Sequence, residues 1–147
     1  RFLAGQSAPL GFAAGSEALI ADLNAIRCSV NPYNVNRMTG SAGVAALGCG
    51  AYYRDNCRRI EANRAYTAAA LEKLGFTALP SKANFLFAAS PDIGGGELYE
   101  ALKRRNILVR HFSKPRIDGY IRVTIGTMEQ MTAFLQAVEQ IVKERRT

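Results

Sequence analysis

Tyr120-Ile121-Arg122-Val123-Thr124-Ile125-Gly126-Thr127 and the helical pattern behind it decide the fold. β-Branched and aromatic residues alternate from 120 to 125, which predicts a strand with two unlike faces. Thr127 followed three residues later by Gln130 is a capping box, the start signal of a helix. The helix it opens carries its apolar stripe on Met131, Phe134, Leu135, Val138, Ile141 and Val142. Upstream, Ile107-Leu108-Val109-Arg110 predicts a second strand, preceded by a turn at Asn106. Before that come a helix over Glu97 to Arg105, with Leu98, Tyr99 and Leu102 inward, and a loop from Pro91 to Gly96. Phe76 to Leu79 and Asn84 to Ala88 read as two more strands, split by Pro80.

The first half reads as helices. Tyr52 to Leu74 is a long one, with Tyr53, Cys57, Ile60, Ala68, Leu71 and Leu74 in one stripe and Gly75 at the C-cap position. Asn36 to Gly48 is a small-residue helix. Asn31-Pro32 marks a break over Ser29 to Asn34. Ser16 is an N-cap for a helix over Ser16 to Arg27, and Gly11 to Ala14 reads as a short strand. The order is leading helices, then strand-strand-helix-strand-strand-helix. It predicts an α+β fold: a small, mostly antiparallel sheet with helices packed on one face.

Composition narrows the function. The chain has 147 residues, 48% of them apolar and 21% charged, which excludes collagen-like, low-complexity and wholly disordered chains. Its longest apolar runs are about half of the roughly 18 residues that a membrane helix needs. Nineteen basic residues against twelve acids leave a net charge of +7. The bases are interleaved with acids along the helices, and no nucleic-acid motif accompanies them, so neither nucleic acid nor membrane is expected as a partner. Such an arginine surplus also suits small phosphate or carboxylate anions. Cys28, Cys49 and Cys57 have no disulfide or zinc spacing and read as reduced thiols of a cytoplasmic protein. One histidine and scattered acids supply no metal shell. Gly94-Gly95-Gly96 lacks the residues of a phosphate loop and reads as a flexible connection.

Arg110 and Arg122 are the candidate site. Each interrupts or ends an apolar strand, and an arginine among apolar neighbours needs an anionic partner. If the two strands pair antiparallel with Leu108 opposite Arg122, both guanidinium groups point to one face and can reach one anion. The alternative is a solvated edge arginine, or one paired to an acid such as Asp118. His111 falls on the other face and reads as structural or solvated. Lys82 precedes a strand with no apolar pocket around it and reads as solvated.

Five stretches in order resemble the C-terminal part of the pyridoxal-phosphate (PLP) aminotransferase family, fold type I, and within it the histidinol-phosphate branch. They are Gly11-Phe12-Ala13, Pro32-Tyr33-Asn34-Val35-Asn36-Arg37, Ser81-Lys82-Ala83-Asn84-Phe85, Ile107-Leu108-Val109-Arg110 and Tyr120 to Thr127. Threonine-phosphate decarboxylases, a neighbouring branch, look similar here. The resemblance implies an amino transfer from histidinol phosphate to 2-oxoglutarate, giving imidazole acetol phosphate and glutamate, in histidine biosynthesis. It implies that Arg110 and Arg122 grip the phosphate or carboxylate end of the substrate. Asn84 is then a further substrate-binding residue, or else a turn amide. Tyr33 and Asn34 are active-site-proximal, or else part of a polar loop whose Asn36 caps the next helix.

The same resemblance implies a division at residue 48. Residues 1–48 would be an interdomain segment led in from a missing PLP-binding large domain, and residues 49–147 the small domain. The lysine that holds PLP would fall just before Leu3-Ala4-Gly5, outside this chain. An arginine that clamps the cofactor phosphate is replaced by Gln6-Ser7-Ala8-Pro9-Leu10. The chain is therefore expected to be a C-terminal fragment, to hold no cofactor-binding residue and no catalytic residue of its own and to be inactive alone, and the full enzyme is expected to be a homodimer. A stand-alone anion-binding or interaction module is the competing expectation.

Overall fold

The computed structural model describes residues 10–32 and 35–146. Tyr33, Asn34, the Leu3-Ala4-Gly5 motif and most of the Gln6–Leu10 stretch lie outside the described residues. The chain divides into two compact units, Arg1–Arg54 and Asp55–Thr147.

In the first unit, α1 (Glu17–Val30) starts at Ser16, whose hydroxyl accepts from the Leu19 N–H at 3.4 Å. It runs three residues beyond Arg27 and ends at Asn31, whose N–H bonds the Arg27 carbonyl. Its last turn therefore occupies the start of the expected break, and Pro32 follows where the helix has already stopped. α2 (Arg37–Gly48) is capped by Asn36, which accepts from the Thr39 N–H at 2.8 Å. The strand expected over Gly11–Ala14 does not form. A strand needs a neighbour to satisfy its backbone, and none pairs with this segment among the described residues.

In the second unit, α3 (Gly50–Lys73, which begins before the division) ends in a Schellman motif. Gly75 takes φ +88°, its N–H bonds Glu72, and the Phe76 N–H bonds Leu71. Leu71 and Phe76 are both buried, which supplies the apolar contact that closes such motifs. After β1 (Thr77–Ala78) and β2 (Phe85–Ala89), α4 (Gly95–Arg104) ends the same way. Here Asn106 takes φ +59°, and the N–H groups of Asn106 and Ile107 bond Lys103 and Leu102. Ile107 is thereby drawn against the core as part of a helix cap. This is why β3 is only Arg110–His111 and not the expected strand from Ile107. β4 (Tyr120–Thr124) and α5 (Met128–Arg146) complete the chain.

All three strand pairings are antiparallel, in the order β1-β2-β4-β3. Leu86, Ala88, Ile121 and Val123 point to one face and are buried under helices. Leu71, Leu98, Leu102, Phe134 and Val138 pack with Ala88, Ile121 and Val123, and Leu86 forms a second cluster with Ile125 and Met131, so the helices pack on one side as the sequence predicts. All six stripe residues of α5 are buried. The α3 stripe is shorter than predicted. Leu71 is buried and Ile60 and Ala68 pack on the second cluster, but Cys57 is exposed. α3 is instead tied down by Asn63 donating to the Gly126 carbonyl at 2.9 Å and Arg64 to the Ala83 carbonyl at 2.6 Å.

The capping box forms in both directions. The Thr127 N–H donates to Gln130 at 2.9 Å, and the Gln130 N–H to the Thr127 hydroxyl at 3.4 Å. The Thr127 hydroxyl also bonds the Glu129 carboxylate and, with Glu129's own backbone N–H, holds that carboxyl below its ordinary range. Thr127→Ala is expected to lower stability by about 0.5–2 kcal/mol, the usual range for a lost N-cap. A lowered folded-state pKa contributes stability above the unfolded value, about 4.3 for glutamate, that fades as pH drops through the lowered one. Urea melts of both chains should therefore differ more at pH 7 than at pH 3.

Candidate functional site

Strand alternation places the site. With Ile121 and Val123 inward, Tyr120, Arg122 and Thr124 face the other way, and with Leu86 and Ala88 inward so do Phe85 and Phe87. Arg122 lies opposite Phe87 on one side and opposite Arg110 on the other. The register differs by two residues from the one supposed on sequence grounds, which set Leu108 against Arg122. An even shift keeps the faces, so both arginines still share one. His111 faces the helices. It stacks on Tyr99 at 6.3 Å, and its Nε2–H donates to the Asp118 carbonyl at 2.7 Å.

The two arginines are set among rings. The Arg122 guanidinium carbon is 5.5 Å from the centroids of both Phe85 and Phe112, and that of Arg110 is 5.4 Å from Phe112. The Arg122 Nε is buried and has no hydrogen-bond partner. Among the described residues neither arginine joins an ion pair. No ion pair joins Asp118 to either arginine among the described residues, whereas Arg110 is exposed on the edge strand β3, as the alternative of a solvated edge arginine expects. Like charges directly opposite on a sheet repel, and a buried N–H without an acceptor costs free energy. An anion held between the guanidinium groups would offset the repulsion. The face can thus hold a phosphate or carboxylate by charge-assisted, bidentate hydrogen bonds.

Asn84 stands one residue before β2 and is exposed. Its carbonyl accepts from the Ile125 N–H at 2.9 Å, and its side chain makes no hydrogen bond to either arginine. The pair Arg110 and Arg122 is brought together; Asn84 precedes Phe85, whose ring touches Arg122, and makes no hydrogen bond to either arginine among the described residues. Phe87 and Phe112 were not singled out from sequence. The period-two alternation of Phe85, Leu86, Phe87 and Ala88 does place Phe85 and Phe87 on the arginine face. Nothing in the sequence around Phe112 gives its ring direction.

The chain's lysines do not fit a cofactor aldehyde. Lys73, Lys82, Lys103, Lys114 and Lys143 are all exposed, whereas a Schiff-base lysine is desolvated. No group of described residues could hold a metal ion. No helix among the described residues is long and apolar enough to cross a membrane.

The sequence matches the family described as aminotransferase class I and II over residues 7–138. It is 42% identical over 134 residues to the histidinol-phosphate aminotransferase of Brachyspira hyodysenteriae, covering 91% of this chain and 38% of that protein. Its structure matches that of the histidinol-phosphate aminotransferase from Clostridium acetobutylicum with a TM-score of 0.74 at 25% identity, over 81% of this chain and 37% of the other. The Sinorhizobium meliloti enzyme of the same name, solved in complex with pyridoxal-5'-phosphate, matches with a TM-score of 0.73 at 18% identity, over 84% and 34%. The chain spans well under half the length of the relatives it matches.

Proposed function

The chain belongs to the aminotransferase class I and II family, and from that premise we propose that it is the substrate-anchoring part of a histidinol-phosphate aminotransferase. The whole protein would move an amino group from histidinol phosphate to 2-oxoglutarate, as a cytoplasmic homodimer. Residues 49–147 form the small domain in this reading, and residues 1–48 the segment that joins it to the rest. Arg110 and Arg122 bind the phosphate end of the substrate, Asn84 borders the same site, and Tyr33 and Asn34 lie on its approach. PLP, which supplies the electron sink for amino transfer, is held by a lysine that is not one of the five here. The exposed apolar side chains of α1, Leu19, Leu23 and Ile26, are cover for the remainder of that protein.

One observation carries the reading: a buried, unpartnered Arg122 Nε beside a second unpaired arginine. Its test is a titration of the 147-residue chain followed by NMR at the arginine Nε–H groups. Histidinol phosphate and inorganic phosphate should both shift Arg122, and histidinol should not. Indifference to both phosphates would overturn the assignment. With PLP and 2-oxoglutarate added the chain should form no glutamate, and turnover would place the amino-transfer chemistry within these residues after all.

A further inference from the structure

We propose that Phe112 is a positioning residue for the anion site, a ring that holds both guanidinium groups at one spacing and so selects phosphate dianions over carboxylates. This rests on the reading of Arg110 and Arg122 as the substrate's phosphate grip.

Three contacts meet on this ring. Arg122 lies over it at 5.5 Å, Arg110 at 5.4 Å, and Phe87 stacks on it at 6.2 Å with only 16° between the planes. Phe87 is itself held by an edge contact to Phe85 at 5.9 Å and by Tyr120 at 6.3 Å. The Phe112 ring is thus fixed from the sheet below. Phe85 takes the other side of Arg122, so that guanidinium is clasped between two rings.

Two directly opposed arginines would otherwise splay apart under their own repulsion, and each long side chain would sample many rotamers. A ring that attracts both cations opposes the splaying and fixes where they point. It also helps to keep water from Arg122, whose Nε is buried, which strengthens what the free edge of that group binds. The remaining donors present two forks at a set distance. A phosphate dianion brings two negative charges and three terminal oxygens to the two forks, whereas a carboxylate brings one charge and two oxygens. Phe112 touches no substrate atom in this scheme. It acts through the arginines, at no cost in charge.

The test uses the 147-residue chain, with inorganic phosphate and acetate as probes, read at the arginine Nε–H signals. In the unmodified chain the Arg122 Nε–H should already be displaced by ring current before any anion is added; a signal at the position of a free arginine would overturn the proposal without any variant. Phe112→Leu is expected to weaken phosphate binding about five- to tenfold, the span of a partly desolvated cation–π contact. Acetate affinity should change less, so the preference for phosphate falls. Phe112→Tyr keeps the ring and should restore affinity to within about twofold of the parent, since cation–π attraction needs only the face. In an Arg110→Gln background the effect of Phe112→Leu should shrink, because neighbours acting through one another are not additive. Full phosphate affinity and preference in Phe112→Leu, with binding still lost in Arg122→Met, would overturn the role of Phe112 and leave the site standing. Absence of phosphate binding in the parent chain would remove the site and this proposal together.

Discussion

Replacing Arg122 by methionine is expected to abolish phosphate binding while leaving the fold at least as stable. The two effects have opposite signs for one reason. Arg122 stands directly opposite Arg110, neither joins an ion pair among the described residues, and the buried Arg122 Nε–H has no acceptor. Methionine keeps an unbranched apolar stem between Phe85 and Phe112 and removes both the repulsion and the orphaned donor. Hydrogen bonds to a charged group are worth about 1.5–3 kcal/mol each, so losing even one weakens anion binding about ten- to 150-fold. A denaturant melt and a phosphate titration of the same variant separate the two. Unchanged phosphate affinity would remove Arg122 from the site. A fall in stability of more than about 1 kcal/mol would make it an ordinary packing residue, since such losses come from named structural defects. A residue that costs stability and serves binding is what a functional site looks like in energetic terms.

Leu102→Ala is expected to have the largest effect on folding. Leu102 is 0% exposed, sits where α4 meets the sheet and α5, and its carbonyl closes the helix cap by accepting from Ile107. Truncating a buried leucine costs about 2–5 kcal/mol, because the surroundings collapse only partly into the space left behind. A domain is stable by about 5–15 kcal/mol, so this one change removes a large share. Leu108→Ala is the matched control. It is 80% exposed only six residues later and should stay within about 0.5 kcal/mol of the parent. Urea unfolding of both variants decides it, and equal midpoints would mean that α4 is not held by this core.

Much of this was legible in the residues themselves. Ser16, Asn36 and the Thr127/Gln130 box cap the helices they mark. Alternation over 120–125 fixes which face Arg122 takes. Register was not legible, because a shift of two residues leaves every side chain on its own face and so leaves no trace in the pattern. The end of α4 also misled. Ile107-Leu108-Val109 carries the composition of a strand, yet Asn106 in a left-handed conformation bends Ile107 back onto the helix it follows. The ring of Phe112 is set by Phe87, a partner 25 positions away that no local period records.

The sheet's two ends carry one more consequence, for how the chain behaves in a crowded solution. Both outer strands, Thr77–Ala78 and Arg110–His111, are two-residue stubs, and the two five-residue strands are enclosed between them. An unpaired edge is a template on which other chains can grow into aggregates, and a short edge with a cation on it is a poor one. Arg110 is that cation on β3. The side chain proposed to grip an anion on the face of the sheet also guards its border against self-association.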